Sequence, residues 1–118
     1  MRKVKLNPNA QKWVDALRSG KYKQARRRLR YRGGMCCLGV ACDIAAEPLK
    51  LKWRGTEFDG EKEVLPPSVQ EWLGINSANG SFVFEWKCLS DINDNGAKFD
   101  EIADLIEQNA EELGVAAK

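Results

Sequence analysis

The sequence predicts an α+β fold, with several helices packed around one buried helix at about residues 35–46 and a small antiparallel sheet beside them. Three observations carry this. First, the twelve-residue stretch Met35–Ala46 holds one charge, Asp43, and is apolar or small on every side. A helix that is hydrophobic all round must be buried. Second, Ala10, Trp13, Val14 and Leu17 recur at helical spacing, as do Phe99, Ile102, Ala103, Leu105 and Ile106, the pattern of helices with one buried face. Third, residues 49–64 and 81–88 alternate in the manner of strands, with Leu49, Leu51 and Trp53 in one and Phe82, Phe84, Trp86 and Cys88 in the other. At 118 residues the chain is expected to be one domain over 1–118, burying roughly 65% of its unfolded surface.

In chain order, Asn7 and Pro8 suit the N-cap and first position of a helix from about Pro8 to Ser19, with Gly20 beyond its end. Residues 21–32 read in two ways. As a helix they put Tyr22, Ala25 and Leu29 on one face; as a strand from Arg26 they send Arg26, Arg28, Arg30 and Arg32 to the other face from Leu29 and Tyr31. A loop followed by a short strand is the favoured reading, ended by Gly33-Gly34. In the central helix Gly39 costs about 1 kcal/mol of helix propensity but admits a close neighbour. Pro48 punctuates, and a hairpin or irregular β segment turns at Asp59-Gly60. Pro66-Pro67 starts a short helix with Val69 and Trp72 inward, stopped at Gly74. Asn76–Gly80 is a turn cluster. Leu89–Asn93 forms one helical turn ended by Asn95-Gly96. The last helix, with Asp100 and Glu101 in its first turn, runs to Leu113-Gly114.

Composition excludes several chemistries. There is no histidine, which removes Ser-His and Cys-His pairs, imidazole bases and His-metal sites. Cys36, Cys37, Cys42 and Cys88 make a poor disulfide framework, because three crowd one apolar run; reduced buried thiols in a cytoplasmic protein are expected. The Cys-Cys-x₄-Cys spacing is not that of zinc knuckles, so no metal is expected. No apolar run approaches the ~20 residues of a membrane span, and the basic amino terminus lacks the apolar run of a secretory signal.

Charge is unevenly spread. Residues 1–34 hold twelve Lys/Arg against one acid, a net of +11, and residues 35–118 hold seven against sixteen, a net of −9. Such a division suggests an anion-binding face, or a homo-oligomer joined through opposite-charge halves.

A set of landmarks carries a family resemblance: Trp13 with Ala16-Leu17-Arg18-Ser19-Gly20, then Cys36-Cys37-Leu38-Gly39-Val40, then Leu65-Pro66-Pro67 with Trp72, then Asn93-Asp94-Asn95-Gly96 with Phe99 and Glu101-Ile102-Ala103. In these the chain resembles a group of small, mostly bacteriophage-encoded hypothetical proteins over about residues 10–108. The resemblance implies a phage or prophage accessory protein made in the bacterial cytoplasm; it implies no activity. Members tend to place Ser or Thr just before the Phe99 equivalent, where this chain has Lys98. They also lack so dense an arginine run.

That run is the strongest functional feature. Arg26, Arg27, Arg28, Arg30 and Arg32 offer the fork geometry that grips phosphate, with Tyr22 and Tyr31 as stacking partners. The competing reading is a solvated face paired with the acidic second half. Asp91-x-Asn93-x-Asn95-Gly96 matches half of a calcium loop, but Ile102 stands where the bidentate Glu is needed, so an ordinary turn is favoured. Asp43 reads as a structural hydrogen-bonding group. No nucleophile, base and oxyanion donor can be assembled, and no cofactor is implied. The expectation is a non-enzymatic accessory protein that counters host defence by sequestering a small anionic nucleotide-type ligand. The alternatives are a nucleic-acid-binding protein using the same arginines, and a protein–protein inhibitor of a host factor; no membrane partner is expected.

Overall fold

Helix α2 (Cys37–Leu49) runs through the middle of a computed structural model that describes residues 4–82 and 87–118. Cys37, Leu38, Val40, Ala41, Cys42 and Ala45 are buried on all its sides, as its composition requires. Its boundaries differ from the expectation. Met35 belongs to a strand, and Cys36 is the N-cap, its Sγ accepting from the Gly39 N–H at 3.4 Å. At the other end the helix continues through Pro48 and stops at Lys50, whose left-handed conformation (φ 57°) directs its N–H to the carbonyls of Ala46 and Glu47. Pro48 has no N–H to give the Ile44 carbonyl, so the last turn lacks that ladder bond and is closed by the Lys50 cap instead.

Gly39 has a specific neighbour. The Leu29 backbone carbonyl occupies the space a Cβ on Gly39 would take, and Leu29 itself is fully buried. The loop carrying the arginines is therefore seated directly on α2.

Helix α1 (Pro8–Arg18) packs on α2 and on α5 (Phe99–Gln108). Asn7 caps it, Oδ1 accepting from the Ala10 N–H at 2.8 Å, with Pro8 at the first position. Trp13 is fully buried and its indole N–H donates to the Cys37 carbonyl at 2.9 Å, which satisfies the one polar atom of the ring. The last helical stretch is broken: α5 ends at Asn109, and a short α6 (Ala110–Leu113) follows. At the start of α5 the Glu101 carboxylate accepts from the Lys98 N–H at 3.0 Å. That is one half of a capping box; lysine cannot supply the other half, for want of an acceptor. Helices α3 (Pro67–Leu73) and α4 (Leu89–Asp94) complete the helical layer.

The expected single sheet is three separate antiparallel pairs of two residues each. They are β1 (Arg30–Tyr31) with β2 (Gly34–Met35), β3 (Trp53–Arg54) with β4 (Glu57–Phe58), and β5 (Ser81–Phe82) with β6 (Lys87–Cys88). In the first pair Arg30 faces Met35 and Tyr31 faces Gly34. Two residues remain for the turn, and both have positive φ, 48° at Arg32 and 82° at Gly33, the signature of a type I′ hairpin. Asp59-Gly60 turns as expected, between a Phe58–Glu61 bridge. The expected inward positions Phe84 and Trp86 lie outside the described residues.

Candidate functional site

The arginine segment is a loop that becomes a hairpin, and it is pinned at three places. The first pin is Asn93, the buried polar residue among the described side chains. Its Nδ2 donates to the Ala25 carbonyl at 2.9 Å. Its Oδ1 accepts from Gln24 Nε2 at 2.8 Å and from the Cys37 N–H at 3.1 Å. One amide thus ties α4, the basic loop and the first turn of α2 together, and every polar atom of it is paired, as burial demands. Gln24 also donates to the Ala97 carbonyl at 2.8 Å.

The second pin is Asp94, whose Oδ1 accepts from the Arg27 backbone N–H at 2.7 Å and so holds Arg27 in the left-handed region, at φ 67°. The third is Leu29, inserted in the core with its N–H donating to the Lys62 carbonyl at 2.7 Å. Between these fixed points the arginines have nowhere to go but outward.

Arg26, Arg27, Arg28 and Arg32 are exposed, and Arg30 is half-buried. The Arg26 guanidinium lies beside Gly96. Arg28 and Arg32 both stand over the Tyr31 ring, 5.7 and 5.2 Å from its centroid, while Arg30 stands 5.3 Å from the centroid of Trp53. These are cation–π distances, and they order side chains that would otherwise sweep through solvent. Among the described residues none of the five guanidiniums forms an ion pair; the pairs present join Arg18 to Asp104 and Glu107, at 2.6 and 2.8 Å. Among the described residues the acidic half of the chain therefore makes no direct ion pair with the run.

Tyr22 is turned to another task than stacking. It is half-buried, and its hydroxyl donates to Asp43 Oδ2 at 2.8 Å, while the Trp53 indole N–H donates to Asp43 Oδ1 at 3.0 Å. Asp43 is thus the structural hydrogen-bonding group expected, set between two aromatic donors. Burial, helped by the Asp43 carboxylate, pushes the Tyr22 phenol up to about 12. Because Trp53 also carries Arg30 on its ring, this triad indirectly places one arginine of the strip.

The thiols of α2 offer no nucleophile at neutral pH. Burial pushes Cys36 up to about 11 and raises Cys37 and Cys42 well above the ordinary thiol range. The half-matching calcium loop is likewise unavailable, because the Asn93 oxygen points into the protein. A cavity of about 330 Å³ touches Arg27 and Arg28, but Glu63 and Asp94 also line it. The arginines consequently spread over two aromatic seats and one mixed-charge cavity rather than converging on one anion pocket.

A family model described as a domain of unknown function (DUF8296) matches residues 6–110. The chain belongs to that family. No curated protein and no solved structure matches it. The DUF8296 match takes in the arginine strip, its three pins and the central helix together. No helix among the described residues is long and apolar enough to cross a membrane.

Proposed function

We propose that the domain binds nucleic acid through the phosphate backbone, using Arg26, Arg27, Arg28, Arg30 and Arg32. The observation that carries this is five guanidiniums, none with an acidic partner among the described residues, on a loop whose backbone is fixed at Asn93, Asp94 and Leu29. Preorganised cations lose little freedom on binding, so more of each phosphate contact appears as affinity. Cations spread in this way suit a long polyanion better than a small ligand, which needs a pocket that covers most of its surface. Contacts to phosphate carry no sequence information, so binding through them is non-specific. The resemblance to phage-encoded proteins supplies only a setting, an accessory protein made in the bacterial cytoplasm; action against host defence is part of the proposal.

Sequestration of a small nucleotide is the second reading, favoured by Tyr31, which is exposed and flanked by two guanidiniums. Fluorescence anisotropy with a labelled single-stranded oligonucleotide separates the two across a salt series. Backbone binding by these five arginines predicts a log–log salt slope of about −3.5, since each phosphate neutralised on a single strand contributes about −0.7. Arg28→Ala should reduce the magnitude of the slope by about one phosphate's share. Tight binding of a mononucleotide with little salt dependence, and none of the oligonucleotide, would select the second reading.

A further inference from the structure

A cleft of about 770 Å³ opens between β5–β6, α4 and the length of α5. Phe82, Ile92 and Leu105 form apolar lining, and the exposed carboxylates Asp91 and Glu101 stand beside them; the one cation of the described lining, Lys87, is outnumbered, with Asp104 already paired to Arg18. Ile92 and Leu105 are only partly covered by the core, so apolar surface is left open to water, at a cost of roughly 25 cal/mol per Å². The occupant that fits offers one apolar side chain between cations.

The chain carries such a group. Among the described residues Tyr31, 43% exposed, is the large hydrophobic side chain left in solvent. It sits beside a two-residue turn, between the unpaired guanidiniums of Arg28 and Arg32. We propose that the cleft receives the Arg28–Tyr31–Arg32 hairpin of a second copy, with the ring against Ile92 and Leu105 and the guanidiniums on Asp91 and Glu101.

Position on the fold favours a reciprocal exchange. Arg27 is bonded to Asp94 and Arg26 lies beside Gly96, while Asp91, Ile92, Asn95 and Ala97 line the cleft. The root of the basic strip and the cleft thus adjoin on α4 and the turn after it. Two copies related by a two-fold axis can then insert hairpins into each other's clefts at once, giving a closed, isologous dimer. The net of +11 in residues 1–34 and −9 in the remainder gives each contact opposite signs. This pairing does not depend on the nucleic-acid reading.

The test is sedimentation velocity on the full chain and on two charge-reversed forms. Wild type should dimerise at micromolar concentration and low salt, with the dimer weakening as salt screens the contacts. Arg28→Glu with Arg32→Glu, and separately Asp91→Arg with Glu101→Arg, should each weaken dimerisation by tenfold or more, on the order expected for broken interfacial charge pairs. Mixing the two forms restores opposite signs at both contacts, and heterodimers should return. Asp91→Arg alone, mixed with Arg32→Glu, repeats the experiment without touching the Glu101 cap. A wild type that stays monomeric, a dimer indifferent to both reversals, or mixtures that remain monomeric would each overturn the proposal.

Discussion

The carbonyl of Leu29 occupies the space in which a side chain on Gly39 would begin, so the arginine loop and the central helix meet backbone to backbone. Neither side can yield cheaply: Leu29 is fully buried, its carbonyl accepts the Cys36 N–H at 3.2 Å, and Gly39 lies inside α2. Gly39→Ala improves helix propensity by about 1 kcal/mol, yet should lower stability by about 1–3 kcal/mol net through overpacking. Urea unfolding measures it. An unchanged or raised midpoint would mean that the loop can lift off the helix.

Asn93 is the second determinant of the loop. Asn93→Ala removes the acceptor of the Cys37 N–H and the donor to the Ala25 carbonyl. Each buried group left unpaired costs about 1–3 kcal/mol, so a loss of roughly 3 kcal/mol is expected. Amide exchange should become faster at Cys37 and across residues 25–29, more than in α1. Asn93→Asp keeps the acceptor but sets a buried carboxylate oxygen against the Ala25 carbonyl and beside Asp94, and should cost at least as much as alanine.

Alkaline pH should destabilise the domain in a way that can be assigned. The Tyr22 phenol is raised in the folded state from 10 to about 12. The folded protein therefore holds a proton that the unfolded chain has released. That contribution is complete below about pH 10 and is lost as pH rises toward 12. The Cys36 thiol, raised to about 11, acts in the same direction from about pH 9. Tyr22→Phe should lessen the fall in stability between about pH 10 and 12 and leave the part due to the buried thiols Cys36, Cys37 and Cys42. Phenolate absorbance should show a late-titrating step that Tyr22→Phe removes; its absence would contradict the Asp43 contact.

How much of this was legible in the sequence depends on the range of the cause. Helix α1, the burial of α2 and the start of α5 follow from caps and periodicity within a few residues, and all were readable. The extended segments near residues 30–31, 53–58, 81–82 and 87–88 were readable too, but their division into three separate pairs was not, because two-residue strands carry no period of their own. Asn93 stood in an Asn-Asp-Asn-Gly run that reads as a turn; its partners Gln24 and Cys37 lie 69 and 56 residues away, beyond any local pattern. Tyr22 looked like a stacking residue because nothing in its neighbourhood announces Asp43, and the sequence gives no hint that Trp53 meets Arg30. The arginines themselves were legible. Their freedom from acidic partners was not, since pairing is decided by where the chain folds.

Arg28 and Arg32 are proposed both to grip phosphates and to enter a partner's cleft, and one guanidinium cannot do both at once. Oligonucleotide and self-association must then compete. Titrating a single-stranded oligonucleotide into the dimer should yield one protein copy per short strand, with the dimer signal falling as bound strand rises. By linkage, the apparent affinity for nucleic acid should weaken as protein concentration passes the dimer dissociation constant. Tyr31→Ser removes the apolar contact of the dimer but no cation, so it should loosen the dimer and make oligonucleotide affinity less dependent on protein concentration. At low protein concentration the affinity should fall, because Arg28 and Arg32 lose the ring that orders them. A stable complex of two protein copies on a strand too short to span both would show that the strip and the cleft contact use different arginines.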